Sequence, residues 1–190
     1  GNAQAMIGMG NTYMKLQLPE KAESYFELVC LKDPNNSKAW QGLGLLALHK
    51  SDIKKADISF NKSLESDPEN DKALCGLGML RINREDLEGA VEYFCRALEV
   101  NPDNISAYKF LLEISYKLER FEEIEKYLSQ FMELHPGNIN MLFALAGVQY
   151  KLGKLEESIT NLECILALDP QHESGLKLLD TAKSDLVPSK

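Results

Sequence analysis

The chain has 190 residues, 44% of them hydrophobic and 26% charged, a balance that excludes both a disordered and a membrane-embedded chain. Its formal net charge of −8 argues against bulk attraction to nucleic acid. No apolar run reaches the roughly 18–20 residues of a membrane-crossing helix. Cys30, Cys75, Cys95 and Cys164 form no C-x-x-C pair and the three histidines do not cluster with them. Reduced thiols filling small apolar gaps are therefore expected, with no metal site and no cofactor, and a reducing cytoplasm is the favoured compartment. The chain opens Gly1-Asn2-Ala3 without an initiator Met, so the expectation is a piece of a longer protein.

From Ala3 onward the apolar residues recur at intervals of three and four, predicting a helix over about 4–16 and a second over about 19–32. Pro34 stops the second helix, and it is the first of five prolines spaced 34 residues apart: Pro34, Pro68, Pro102, Pro136 and Pro170. Spacing without drift fixes a repeat unit. With the proline at position 32, the repeats are 3–36, 37–70, 71–104, 105–138 and 139–172, each a helix A followed by a helix B. Asn36, Asn70, Asn104 and Asn138 precede the next helix A, and Asp52 and Asp86 precede helix B, where a side-chain oxygen caps orphan N–H groups. Leu176, Leu178, Leu179 and Ala182 lie on a last helix, expected to cap the array over 173–187. At the other end Met6, Ile7 and Met9 are expected to lie uncovered.

Three glycine pairs, Gly8/Gly10, Gly42/Gly44 and Gly76/Gly78, follow the same period. A phosphate-binding loop needs one such turn between a strand and a helix, so the pairs are not read as a nucleotide site. The motif set resembles the tetratricopeptide repeat. Repeat two carries the resemblance in Trp40, Leu43, Gly44, Ala56, Phe60 and Pro68. Repeat one contributes Gly10, Tyr13, Ala22, Phe26 and Pro34, and repeat three Leu77, Gly78, Ala90, Phe94, Ala97 and Pro102. The likeness covers residues 3–172 and implies an all-α, right-handed superhelical solenoid of helix-turn-helix repeats, with the A helices lining a concave groove. The pentatricopeptide repeat, a cousin with a 35-residue period and basic chains, fits neither spacing nor charge.

Gly10, Gly44, Gly78 and Ala22, Ala56, Ala90 are then small residues that let helix A approach helix B. The glycines at position 6 (Gly8, Gly42, Gly76) are not part of the family pattern. Each mid-helix glycine costs roughly 0.5–1 kcal/mol against alanine, which suggests a strip on the groove wall against which a partner backbone packs. Repeat four enlarges both small positions, to Leu112 and Ile124, and shrinks the usual tyrosine to Ser115. Either its helices cross differently and curvature changes near residue 105, or the core repacks locally.

No catalytic constellation is visible: there is no H-E-x-x-H and no nucleophile on a strand-turn-helix elbow. The resemblance implies that positions 2, 5, 9, 12 and 13 face the groove. In the first three repeats these positions are mostly apolar and bordered by lysines. The A-helix segments hold nine cations against Asp71 and Glu113, so the acidic surplus lies on the B helices. The expected site is accordingly Asn11, Met14, Lys15, Lys38, Gln41, Leu45, Leu48, His49, Lys72, Cys75, Met79 and Ile82. It would bind a peptide or helix of a partner protein with acidic flanks. The alternatives are a recruiting segment of a larger enzyme and self-assembly into a homo-oligomer. Single-stranded RNA would be betrayed by steep salt dependence. The carboxylate clamp of chaperone-binding relatives is incomplete here, with Ile7, Gly42 and Gly76 in place of its polar residues. The asparagine ladder of the O-linked sugar transferases is likewise missing.

Overall fold

Helices joined by short turns make up the described residues, 2–186 of this computed structural model: α1 (Ala3–Lys15), α2 (Pro19–Lys32), α3 (Ser37–His49), α4 (Ile53–Ser66), α5 (Asp71–Asn83), α6 (Leu87–Val100), α7 (Ile105–Leu118), α8 (Glu122–Leu134), α9 (Ile139–Lys151), α10 (Leu155–Leu168) and α11 (Glu173–Leu186). Odd-numbered helices up to α9 are the A helices and even-numbered ones the B helices. The result is the expected all-α helical-repeat solenoid. Residue 187, the last of the expected capping helix, lies outside the described residues. The chain divides into two compact bodies, one ending at Ala107 and the other beginning at Tyr108.

Local chemistry sets where most of the helices start and where each helix A stops. Asn36, Asn70, Asn104 and Asn138 accept N–H bonds of 3.0–3.2 Å from Ala39, Ala73, Ala107 and Met141, and Asp52 and Asp86 do the same for Lys55 and Gly89 at 3.0 and 2.9 Å. His172 takes this place before α11, its Nδ1 accepting from Gly175 N–H at 2.9 Å. Each A helix ends through a left-handed residue at position 15: Gln17, Ser51, Glu85, Glu119 and Gly153. The following N–H reaches back five residues, as in Asp52 N–H to the Ala47 carbonyl at 2.8 Å. This 6→1 bond closes a Schellman turn. Only Gly153 announces the turn in the sequence.

The cap asparagines also work backward. Asn70 Nδ2 donates to Ser37 Oγ at 2.9 Å, and Ser37 Oγ lies 2.9 Å from Ser63 Oγ. Asn104 Nδ2 donates to Asp71 Oδ2 at 2.8 Å. One amide thus caps the next helix A and holds the first residue of its own repeat.

In the body ending at Ala107 the core is built around phenylalanine rings. Phe26, Phe60 and Phe94 are fully buried. A Cβ on Gly10 or Gly42 would stand 2.6 Å from the Phe26 ring, and on Gly44 or Gly76 it would stand 2.6 or 2.3 Å from the Phe60 ring. Phe26 and Phe60 are therefore each seated between the position-8 glycine of their own repeat and the position-6 glycine of the next, while Phe94 meets only Gly78 of its own repeat in this way. The strip expected on the groove wall is corrected: Gly42 and Gly76 are buried and already occupied from within. Gly8 differs, being exposed with nothing within 4 Å of its Cβ position. Ile7, expected to lie uncovered, is buried and Met6 packs against the core, while Met9 remains 41% exposed.

Consecutive repeats are also joined electrostatically. Glu23 on α2 pairs with Lys50 at 2.6 Å and with Lys55, and Asp57 on α4 pairs with Arg84 at 2.9 Å. The hydrogen bonds from Lys50 and Lys55 hold the Glu23 carboxyl below its ordinary pKa. A carboxylate depressed in the folded state stabilises fully above its unfolded pKa, and that contribution disappears as pH falls through the folded one. Between about pH 6 and pH 3, urea midpoints of wild type are expected to fall more steeply than those of Glu23→Gln. Parallel slopes would show that the bridge contributes nothing.

In the body beginning at Tyr108, Ile124 and Leu128 fill the places of the small alanine and the phenylalanine. Tyr108 Oη donates to the Tyr127 carbonyl at 3.1 Å and meets Phe131 edge to face at 5.3 Å. In repeat five, buried Ser158 donates to the Ala146 carbonyl at 2.8 Å, tying α10 to α9. Leu178 and Leu179 of α11 pack on the Leu142, Ala146, Leu162 and Ile165 cluster, and Ala182 is buried.

Candidate functional site

The residues expected to line the groove of the first three repeats divide by exposure. Asn11, Lys15, Lys38, His49 and Lys72 are exposed. Met14, Gln41, Leu45, Leu48, Met79 and Ile82 are half-buried. Met14 rests on the cluster around Phe26, and Leu45 and Leu48 rest on the one around Phe60. Their outer surfaces remain in solvent while their inner surfaces hold the repeats together.

Cys75 does not belong with them. It is only 6% exposed, and Asn104 Nδ2 donates to its Sγ at 3.4 Å. Burial pushes its thiol up to about 12, so it is neither a contact nor a nucleophile at neutral pH. Position 5 faces the groove in the family pattern, but here the cap asparagine of the same repeat folds across it.

The cationic border is thinner than the sequence count implies. Lys50, Arg81, Arg84 and Lys117 are held by Glu23, Asp86, Asp57 and Glu113. Among the described residues, Lys15, Lys38, Lys72, Lys109 and Lys151 form no ion pair, and these remain available to an incoming carboxylate. No three His, Cys, Asp or Glu side chains among the described residues are placed to hold a metal ion.

A second surface, not selected from the sequence, lies in the body beginning at Tyr108. A cleft of about 410 Å³ is lined by Leu112, Tyr116, Asn140, Phe143, Ala144, Gly147, Tyr150, Lys151 and Leu178. It falls within the roughly 300–1,000 Å³ range of ligand pockets. An adjoining hollow shares Leu112 and Tyr116 and adds Lys109, Glu113 and Lys117. Tyr150 Oη donates to Asp185 Oδ2 at 2.7 Å, fixing the ring against α11, and that bond raises the Tyr150 pKa. Burial raises that of Tyr116. The signal was present in the aromatic residues at positions 5 and 12, Phe143, Tyr116 and Tyr150. What could not be read was that Leu112, at a position normally reserved for glycine, would line a cleft.

The solved structures similar to this chain include PilF of Pseudomonas aeruginosa, with 19% identity, a TM-score of 0.71, and coverage of 99% of this chain and 93% of that one. YrrB, described as a TPR protein with an unusual peptide-binding site, gives 20% identity and a TM-score of 0.64 over 93% and 91% of the two chains. A chain of the Naa15/Naa10 complex bound to HypK-THB aligns over 98% of this chain and 30% of its own, with 13% identity and a TM-score of 0.78. At these identities the likeness shows the fold alone. No curated protein sequence matches. The family profile for the tetratricopeptide repeat matches residues 3–36, 37–70 and 71–104, which is more than half of the chain. With paired helices capped every 34 residues and a phenylalanine locked between successive repeats, this chain belongs to the tetratricopeptide repeat family.

Proposed function

We propose that the chain is a non-catalytic protein–protein interaction module that docks a peptide or helix of a partner on its A-helix face. The observation that carries this reading is that half-buried apolar side chains share their helices with lysines that no carboxylate holds: Leu45 and Leu48 on α3 with Lys38, Met79 and Ile82 on α5 with Lys72. Apolar contact would supply affinity and the free lysines would favour acidic flanks. The family's general use as an interaction module supports the reading, as does the fold shared with a peptide-binding relative. No helix among the described residues is long and apolar enough to cross a membrane.

Affinity capture from lysate of the source cell tests it. Wild type is expected to retain a partner that Leu45→Glu/Met79→Glu loses, and that the exposed pair Lys38→Glu/Lys72→Glu retains more weakly. Circular dichroism confirms that each variant folds. Retention of the same proteins by all three moves the interaction to another surface and overturns the assignment of these residues.

A further inference from the structure

The cleft between α7, α9 and α11 differs from the rest of the A-helix face in how it is made. Position 9 carries Asn11, Leu45, Met79 and Glu113 in the first four repeats and Gly147 in the fifth. Gly147 is not required by its neighbours: a Cβ there would meet only Tyr116 Oη, at 3.4 Å. A mid-helix glycine in ordinary backbone conformation, with one tyrosine hydroxyl at ordinary van der Waals distance from its Cβ position, has a cost in helix stability and no return in packing. What it does is leave a recess flanked by Tyr116, Phe143 and Tyr150. The walls are tied in place, because Tyr150 is bonded to Asp185 on α11 and the Phe143 ring lies 5.1 Å from that of the capping residue His172, tilted by 52°.

The charge lining this recess is positive. Lys151 borders it and Lys109 borders the adjoining hollow, both without an ion pair among the described residues. The nearby carboxylates are engaged: Glu113 with Lys117 at 2.7 Å and Asp185 with Tyr150. Asn140, on the same wall, is exposed and offers an amide that can bond a peptide backbone.

We propose that this recess is a docking site for an acidic linear segment of another protein, which inserts one aromatic or leucine side chain over Gly147 and places carboxylates against Lys151 and Lys109. The proposal rests on the reading of the chain as an interaction module and assigns it a second, separate pocket. The apolar anchor replaces water on three aromatic faces, and rigid aromatic walls of this kind concentrate binding energy in one inserted side chain. Flanking carboxylates select among apolar peptides, because neither lysine has a close ion pair to break.

Gly147→Leu tests this, since it fills the recess without touching the core and, by removing a helical glycine, is expected to raise the melting temperature. A phage-displayed library of random peptides of about 12 residues, panned on wild type, is expected to yield sequences with an aromatic or leucine residue among Asp and Glu. Synthetic copies are expected to bind Gly147→Leu and Lys109→Glu/Lys151→Glu weaker by roughly tenfold or more, and to bind Leu45→Glu/Met79→Glu unchanged. Peptides that are lost with Leu45→Glu/Met79→Glu and kept by Gly147→Leu overturn the recess while the first groove stands. A library that yields no binder overturns the recess, and the lysate capture then decides the first groove alone. Sedimentation that shows self-association of wild type abolished by Gly147→Leu makes a second copy the occupant and equally overturns the acidic partner.

Discussion

Gly76→Ala is expected to destabilise the protein by about 1–2 kcal/mol, whereas Gly8→Ala is expected to stabilise it by about 0.5–1 kcal/mol. Both glycines occupy position 6 of a helix A, and replacing either with alanine gains the same backbone propensity. The difference is what a methyl group meets. At Gly76 it would stand 2.3 Å from the Phe60 ring, which is fully buried and held on its other side by Gly44. The ring has nowhere to retreat, so the helices must part and overpacking exceeds the propensity gain. At Gly8 the methyl group enters open space. Urea unfolding followed by circular dichroism reads both changes, and Trp40, the single tryptophan, adds a fluorescence signal from repeat two. Stabilisation by both substitutions would show that position 6 tolerates a side chain and that the seated ring is not a constraint.

Phe60→Ala is the larger loss, expected at about 3–5 kcal/mol. The ring is 0% exposed and packs in a cluster with Ala47, Ala56, Ala73, Leu77 and Leu80. Two of its walls are glycine backbone, which has no side chain to fall into the void, so little of the cavity can collapse. Phe60→Leu, retaining much of the volume, is expected to cost less than half as much. Unfolding curves for the three proteins decide this, and a loss under about 2 kcal/mol for alanine would mean that the helices close around the gap.

The fold was legible because its signals are local. A proline every 34 residues, an asparagine before each helix A and two aspartates before helix B depend only on neighbours a few residues away, and each cap forms as expected. The Schellman turns were silent, since four of the five left-handed residues are not glycine. The role of the position-6 glycines was misread for a different reason. The partner of Gly42 is Phe26 and that of Gly76 is Phe60, each on the preceding helix B, and periodicity along one helix carries no information about which neighbour fills a gap. Cys75 failed in the same way, covered by an asparagine that the sequence marks only as a cap. The recess over Gly147 needed three helices to converge before an isolated glycine among aromatic residues acquired meaning.

The seating of Phe26 and of Phe60 between two glycines amounts to a grammar for joining repeats. A repeat whose phenylalanine is seated in this way must be followed by one with glycine at position 6, so not every order of these repeats can be spliced together: repeat four, with Phe110 at that position, would not fit after repeat one or two. Repeat two satisfies the rule against itself, because Phe60 has the complement of Gly42 as well as that of its own Gly44. Asp57, which answers Arg84 across the junction, would find Lys50 of a second copy in the equivalent place. In the ring seat and in this ion pair the two ends of residues 37–70 are mutually compatible, and tandem duplication of that stretch would lengthen the array with both junction features kept.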